Sequence, residues 1–147
     1  MPKITTFLTF NNQAEEAATL YTSIFKNSKI TQIRRLPTGT VMSVSFELDG
    51  LEFMAMNGGP SFTFSSGTSL FVHCDTQEEV DMYWDKLTEG GEPGQCGWLK
   101  DKFGVSWQIV PEALGRLLGD KDPEKAKRAM QAMLQMTKID TKVLEEA

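Results

Sequence analysis

The sequence predicts an α+β fold made from one strand-helix-hairpin module used twice, followed by added helices. Three observations predict it: a weak internal repeat, strands that alternate between an apolar and a mixed side, and a tail whose apolar residues switch to helical spacing. Sliding the 147-residue chain by 63 positions lays Glu15-Glu16 over Glu78-Glu79, Ala17 over Val80, Leu20 over Tyr83, Tyr21 over Trp84 and Ile24 over Leu87.

Residues 4–10 are rich in Thr, Phe and Ile and stop at Asn11-Asn12, as a strand running into a helix cap does. Asn12, with Glu15 three positions on, is expected to satisfy free amides at the helix start. Ala14, Ala17, Ala18, Tyr21 and Phe25 then supply one buried stripe. Residues 30–36, 41–48 and 51–56 read as three strands, separated by Pro37-Thr38-Gly39 and by Asp49-Gly50. The Asp-Gly pair signals a type I′ hairpin, whose two central residues both need positive φ. In the middle strand Met42, Val44, Phe46 and Leu48 lie on one side and Ser43, Ser45 and Glu47 on the other. Asn57-Gly58-Gly59-Pro60 breaks the pattern, and the stretch to Gly67 reads as a linker or mobile loop.

The second module opens with a strand over residues 68–74. Thr76 with Glu79 repeats the capping box, and Val80, Tyr83, Trp84 and Leu87 form a second helical stripe ended by Gly90-Gly91. Residues 96–101 and 105–110 close the module as a hairpin. In the tail, residues 112–118 and 123–136 have helical spacing, the latter capped by Asp122 with Pro123 in the first turn. Ala126, Ala129, Met130, Met133 and Leu134 form its apolar face, which is expected to pack on the sheet or on a second subunit. The expected layout is one domain over residues 1–147: module one about 3–57, module two about 67–111 and the tail 112–147.

Composition bounds the function. With 40% hydrophobic and 24% charged residues, the chain can bury a core without disulfides or metal, so either must be argued from function. A net charge of −5, with Lys and Arg dispersed, offers no basic stripe for phosphates, and nucleic acid is not an expected partner. No apolar run approaches a membrane span, and Met1-Pro2-Lys3 leads straight into a strand without a signal-peptide core; a cytoplasmic protein with no membrane partner is expected. Cys74 and Cys96 form no CxxC pattern and are expected to be reduced thiols.

Helices should cover the more apolar side of each sheet. In module two Leu70, Val72 and Cys74 share one side of their strand and Ser69, Phe71 and His73 the other, while Trp107 and Ile109 oppose Ser106 and Gln108. The mixed side is therefore the candidate ligand face. If the uncovered sides of the two modules curve toward each other, they enclose a pocket to which module one contributes Thr5, Phe7, Phe53 and Asn57. The alternatives are a wet sheet surface or a dimer contact.

Four stretches carry a resemblance: residues 10–17 (FNNQAEEA), 53–60 (FMAMNGGP), 76–81 (TQEEVD) and especially 96–111 (CGWLKDKFGVSWQIVP), with 136–140 (MTKID) in the tail. They closely resemble the PhnB-like family, often labelled 3-demethylubiquinone-9 3-methyltransferase, of the glyoxalase, bleomycin-resistance and dioxygenase (vicinal oxygen chelate) superfamily. The resemblance implies paired βαβββ modules, a cup-shaped cavity in the mixed sheet and a homodimer. It also implies where metal-using relatives would place their ligands, which fall here on Thr5, Phe53, Ser69 and Gln108. Only Gln108 among these is a plausible donor. A transition metal needs several nitrogen, thiolate or carboxylate donors at ~2 Å, and the single His73 excludes a two-His-one-carboxylate site within one subunit. Neither a metal nor a cofactor is expected. The methyltransferase label meets strand-helix junctions, Asn11-Asn12 and Asp75-Thr76, that lack the glycine-rich turn of common S-adenosylmethionine enzymes.

The expected function is a metal-independent small-molecule binding protein whose ligand contacts Thr5, Phe53, Asn57, Ser69, Phe71, His73, Trp98 and Gln108. The alternative is an enzyme, either the labelled methyltransferase or a proton-transfer or isomerase activity at His73, oriented by Asp75. A lone His beside a helix cap is, however, more often a hydrogen-bonded structural residue, with Asp75 satisfying backbone amides instead. Trp98, Lys100 and Asp101 crowd one hairpin: Trp98 suits stacking on a planar ligand and Lys100 an anionic group, or both serve core or dimer packing. Cys96 has no neighbouring base to make it a nucleophile. The Ser65-Ser66-Gly67 and Asn57 to Pro60 loops are not phosphate loops and read as a lid or hinge. A third possibility is an interaction scaffold dimerising through its tail.

Overall fold

The structure, a computed structural model, describes residues 3–147; Met1 and Pro2 of the expected N-terminal run lie outside the described residues. The chain divides into two compact units, Met1–Thr63 and Phe64–Ala147.

In the first unit, β1 (Thr6–Phe10), α1 (Ala14–Ile24), β2 (Lys29–Arg35), β3 (Val41–Leu48) and β4 (Leu51–Asn57) form a four-stranded sheet of order β1-β4-β3-β2. β1 runs parallel to β4, and the other neighbours are antiparallel. A parallel pair cannot be joined by a hairpin, so α1 and the β2-β3-β4 meander supply the crossover. Asp49 and Gly50 have φ of 50° and 80°, as a type I′ turn requires. That turn pairs Leu48 with Leu51 and so fixes Phe46 opposite Phe53 and Val44 opposite Ala55. Ala14, Ala17, Ala18, Tyr21 and Ile24 of α1 are buried, with Val44, Phe46, Leu48, Phe53 and Ala55 of the sheet. Met42, expected on the same side, is exposed near the start of β3.

The helix start departs from expectation. Gln13, not Asn12, is the N-cap residue, and no local side chain caps α1. Instead Ala14 N donates to Oδ1 of Asn57 at 2.8 Å, while Nδ2 of Asn57 donates to Val41 O at 3.3 Å. Pairing of Phe10 with Asn57 brings the end of β4 beside the helix entry, so a long-range cap replaces the local one. Phe25, expected in the helical stripe, is extended backbone past the helix end.

The second unit repeats the pattern with β5 (Ser69–Cys74), α2 (Gln77–Thr88), β6 (Glu92–Pro93), β7 (Trp98–Lys100) and β8 (Ser106–Pro111), in sheet order β5-β8-β7-β6 with β5 parallel to β8. β6 was not foreseen, because two residues are too few to alternate. Half of the expected capping box is present: Glu79 N donates to Thr76 Oγ1 at 3.2 Å, while Glu79 Oε1 accepts instead from the amide of Asp75, one residue before the cap, at 3.3 Å. Val80, Tyr83, Trp84 and Leu87 are buried, as are Leu99, Trp107 and Ile109 of the sheet. The β7-β8 hairpin closes on Asp101, whose buried carboxylate accepts from Phe103 N (2.9 Å), Val105 N (3.0 Å) and Trp107 Nε1 (2.9 Å).

The tail contributes α3 (Glu112–Leu118), α4 (Pro123–Met133) and α5 (Thr141–Glu146). α3 falls where expected, and Asp122 caps α4 by accepting from Glu124 N. α4 is shorter than predicted, and α5 is additional, capped by Asp140. Leu114, Ile139 and Leu144 form a small core of their own. On the expected apolar face of α4, Ala129 is buried and Ala126 and Met133 are half-buried, but Met130 and Leu134 are exposed. Gln77 ties the tail to α2, donating to Ile139 O at 2.9 Å and accepting from Thr141 N at 2.9 Å. Met136 and Thr137 accept from the amides of Cys96 and Gly97 at 2.8 Å. Gly97 has a φ of +86°, and a Cβ there would stand 3.0 Å from both Ile109 O and Ile139 Cγ1, so glycine lets the tail lie close.

Candidate functional site

Each sheet has one side packed under its helix and one side that the helix does not cover. In the first unit Leu8 and Phe10 of β1 are buried, and Phe7 and Thr9, which alternate with them, pair with Met54 and Met56 of β4. Ser43 and Ser45 pair with the same two methionines. The uncovered side is therefore Phe7, Thr9, Met54, Met56 and the β3 serines. Phe53 is not on it: the side chain is 7% exposed and stacks on Phe46 with ring centroids 5.4 Å apart, and Phe46 in turn tilts against Tyr21 of α1 at 6.4 Å. The expected placement of Phe53 on the ligand face is corrected; the two-residue turn sets the phase of β4 one residue away. Asn57 is likewise engaged as the α1 cap, and Thr5 stands just before β1, half-buried.

In the second unit the registers lay out the open side as two cross-strand rows. Ser69, Ser106, Lys100 and Glu92 are successive partners across β5, β8, β7 and β6. Phe71, Gln108 and Trp98 make the next row. Trp98 and Lys100 thus share the side of Ser69, Phe71, His73 and Gln108, opposite Leu99, which is buried. Gln108 Nε2 donates to Ser69 Oγ at 2.9 Å, and the exposed ring of Phe71 stands 4.8 Å from the imidazole of His73. No hydrogen bond joins His73 to Asp75 among the described residues; the Asp75 backbone amide serves the α2 cap instead. Val110, next along β8, packs against the small core of the tail.

A groove of about 150 Å³ opens on this side, lined by Ser66, Glu92, Gly94, Trp98, Lys100 and Ser106. Ser106 is 2% exposed, and its hydroxyl has no hydrogen-bond partner in the protein. Leaving a buried hydroxyl unpaired costs about 1–3 kcal/mol, so the position is one where a ligand oxygen is worth most. The sequence placed Ser106 on the mixed side without counting it as a contact residue, and Glu92 went unnoticed along with β6. Asp101, grouped with Trp98 and Lys100 from the sequence, is instead a satisfied structural carboxylate.

Two further groups are set by their surroundings. Burial, then the charges of Glu79 and Asp75, push the Cys74 thiol up to about 12, so it is not a nucleophile near neutral pH. Cys96 adopts a φ of 58° and donates its amide to the tail. Among the described residues no three His, Cys, Asp or Glu side chains come together to hold a metal; Glu47 and Glu52 are cross-strand partners without a third. The positions that the resemblance assigns to a metal carry a hydroxyl, a core phenyl ring, a second hydroxyl and an amide already bonded to it, a donor set that does not fit a transition ion. No helix among the described residues is long and apolar enough to cross a membrane.

The sequence model of the family described as 3-demethylubiquinone-9 3-methyltransferase matches residues 2–110. Among solved structures, the PhnB protein of Bacillus cereus is 41% identical with a TM-score of 0.71, the match covering 75% of this chain and 99% of that one. Protein PA1353 from Pseudomonas aeruginosa is 20% identical with a TM-score of 0.64, over 76% of this chain and 98% of that one. The fosfomycin resistance protein FosX from Listeria monocytogenes is 19% identical with a TM-score of 0.60, over 81% and 98%. The last two likenesses concern the fold, which is that of the glyoxalase, or vicinal oxygen chelate, superfamily. No curated protein matches the chain.

Proposed function

The chain belongs to the 3-demethylubiquinone-9 3-methyltransferase (PhnB-like) family of the glyoxalase superfamily, and from that premise we propose that it binds a small organic molecule, without a metal, on the open side of the second unit's sheet. The observation that carries this reading is the pair of rows on that side: an exposed Phe71 and a half-exposed Trp98 flank the Ser69-Gln108 hydrogen bond, beside a buried hydroxyl without a partner. Aromatic surface with a few fixed polar groups is the usual make-up of a small-molecule site. Ser69, Phe71, His73, Trp98 and Gln108 are the proposed contacts. The protein acts as a cytoplasmic homodimer in this reading.

The test is a thermal-shift screen of chelator-treated protein against quinones, S-adenosylmethionine and aromatic drugs. A saturable rise in melting temperature that survives chelation, and that Phe71→Ala abolishes, supports the reading; dependence of every response on added metal, or no response at all, overturns it.

The family's description favours a second reading, methyl transfer to a small aromatic acceptor, with His73 moving the proton. In that case His73→Ala abolishes turnover with labelled S-adenosylmethionine while the melting temperature stays within about 1 °C. Undiminished turnover removes His73 from the mechanism.

A further inference from the structure

We propose that the groove beside Trp98 is a subsite for the carboxylate of a small planar ligand, its ring lying on the indole and its carboxylate reaching Lys100 and the Ser106 hydroxyl. This rests on the reading that the open side binds a small molecule, and it names the class of molecule. The groove, at about 150 Å³, has room for a single substituted six-membered ring. Ser106 is one of its lining residues and carries a buried hydroxyl that no protein group satisfies, whereas Gln108, two residues along the same strand, already has its partner in Ser69.

Lys100 is the cross-strand partner of Ser106 on one side and of Glu92 on the other, yet it enters no ion pair among the described residues. An unpaired ammonium next to an unpaired hydroxyl offers two donors to one ligand group. A carboxylate accepts from both at once, and its charge roughly doubles the strength of each bond; a carboxamide of the same shape loses that gain. The indole beside them selects a flat ring, because stacking uses the whole face. Glu92, also lining the groove, admits a single negative charge and disfavours a second.

Benzoate and benzamide, titrated into the ¹⁵N-labelled full chain, test this through the indole N–H signals of the three tryptophans, that of Trp98 being identified with Trp98→Phe. Benzoate is expected to move the Trp98 signal saturably, leave those of the buried Trp84 and Trp107 in place, and bind about tenfold tighter than benzamide. Lys100→Gln brings benzoate down to the level of benzamide, Ser106→Ala weakens it several-fold, and Glu92→Gln tightens it about twofold. Should Ser106→Ala fail to fold, the exposed Lys100→Gln decides the matter. Equal affinity for the two compounds, or benzoate binding indifferent to Lys100→Gln, overturns the carboxylate assignment. Screen compounds that shift the Gln108 amide or the His73 ring, while benzoate leaves Trp98 unmoved, overturn the subsite and leave the open-side reading standing. If nothing shifts any of these signals, both fall.

Discussion

Replacing Asn57 by Ala separates a structural from a ligand-binding role for this residue. The side chain holds two backbone groups, the Ala14 amide at the start of α1 and the Val41 carbonyl at the start of β3. Loss of an N-cap costs about 1 kcal/mol, with a range of about 0.5–2. The second bond, at 3.3 Å and half-buried, adds about 0.5–1.5 kcal/mol. Together they amount to about 1–3.5 kcal/mol, which for a chain of this size lowers the melting temperature by roughly 3–10 °C. Urea unfolding followed by far-UV circular dichroism reads the loss as a lower midpoint at an unchanged slope. Asn57→Asp keeps an acceptor at the helix start and loses the donor to Val41, so it should recover about half of the loss. Ligand affinity at the second sheet should be unchanged in both variants. A loss below about 0.5 kcal/mol for Asn57→Ala, together with weakened ligand binding, would refute the cap assignment.

Three further outcomes follow from groups whose surroundings are known. Asp101→Asn keeps an oxygen for the amides of Phe103 and Val105 but sets an NH2 group against Trp107 Nε1, and losing that charge-assisted bond costs about 1.5–3 kcal/mol, read as a lower urea midpoint with altered Trp107 emission. Asp81 is held below the usual carboxylate range, chiefly by its hydrogen bond to Lys138, which stands 2.8 Å away. Its folded pKa is depressed, so its contribution to tail docking is present above the ordinary aspartate range and is lost as pH falls through the depressed value. The pair is exposed and the effect small; Lys138→Ala should remove the acid dependence of amide exchange in α5, and an unchanged profile would refute it. Cys74 has the opposite sign, its folded pKa being raised: the preference for the buried thiol is complete below the ordinary value of 9.0 and is lost progressively as pH rises toward about 12. Cys74→Ser should flatten alkaline unfolding over that interval, and native Cys74 should resist iodoacetamide at neutral pH.

The repeat, both helices, the two hairpins and the Thr76 cap of α2 were legible because each is written in neighbouring residues. What escaped was written in distant ones. The cap on α1 comes from Asn57, which no local motif connects to Ala14. β6 is two residues long and earns its place by pairing with Lys100 and Leu99, and α5 rests on the Asp140 cap and the Gln77 contacts rather than on a long apolar stripe. The facing of Trp98 and Lys100 needed the register with β8, which a three-residue strand does not announce.

The displacement of Phe53 is different, because neighbouring residues do specify it. The alternation of β3 put Phe46 and Val44 on the buried side, and Asp49-Gly50 specified a two-residue turn; together these oblige Phe53 and Ala55 to follow them under α1. A one-residue phase error turns a whole strand over, so the neighbour on the uncovered side becomes Met54. The correction bears on metal binding as well. A thioether in place of a phenyl ring adds one soft, weak donor to two hydroxyls and an amide, still without imidazole, thiolate or carboxylate among them. The proposed metal-free binding therefore does not depend on which residue of β4 faces outward. It depends on the donor set as a whole, in which Ser69 and Gln108, hydrogen-bonded to each other at 2.9 Å, offer only a hydroxyl and a carboxamide where a transition ion takes imidazole, thiolate or carboxylate.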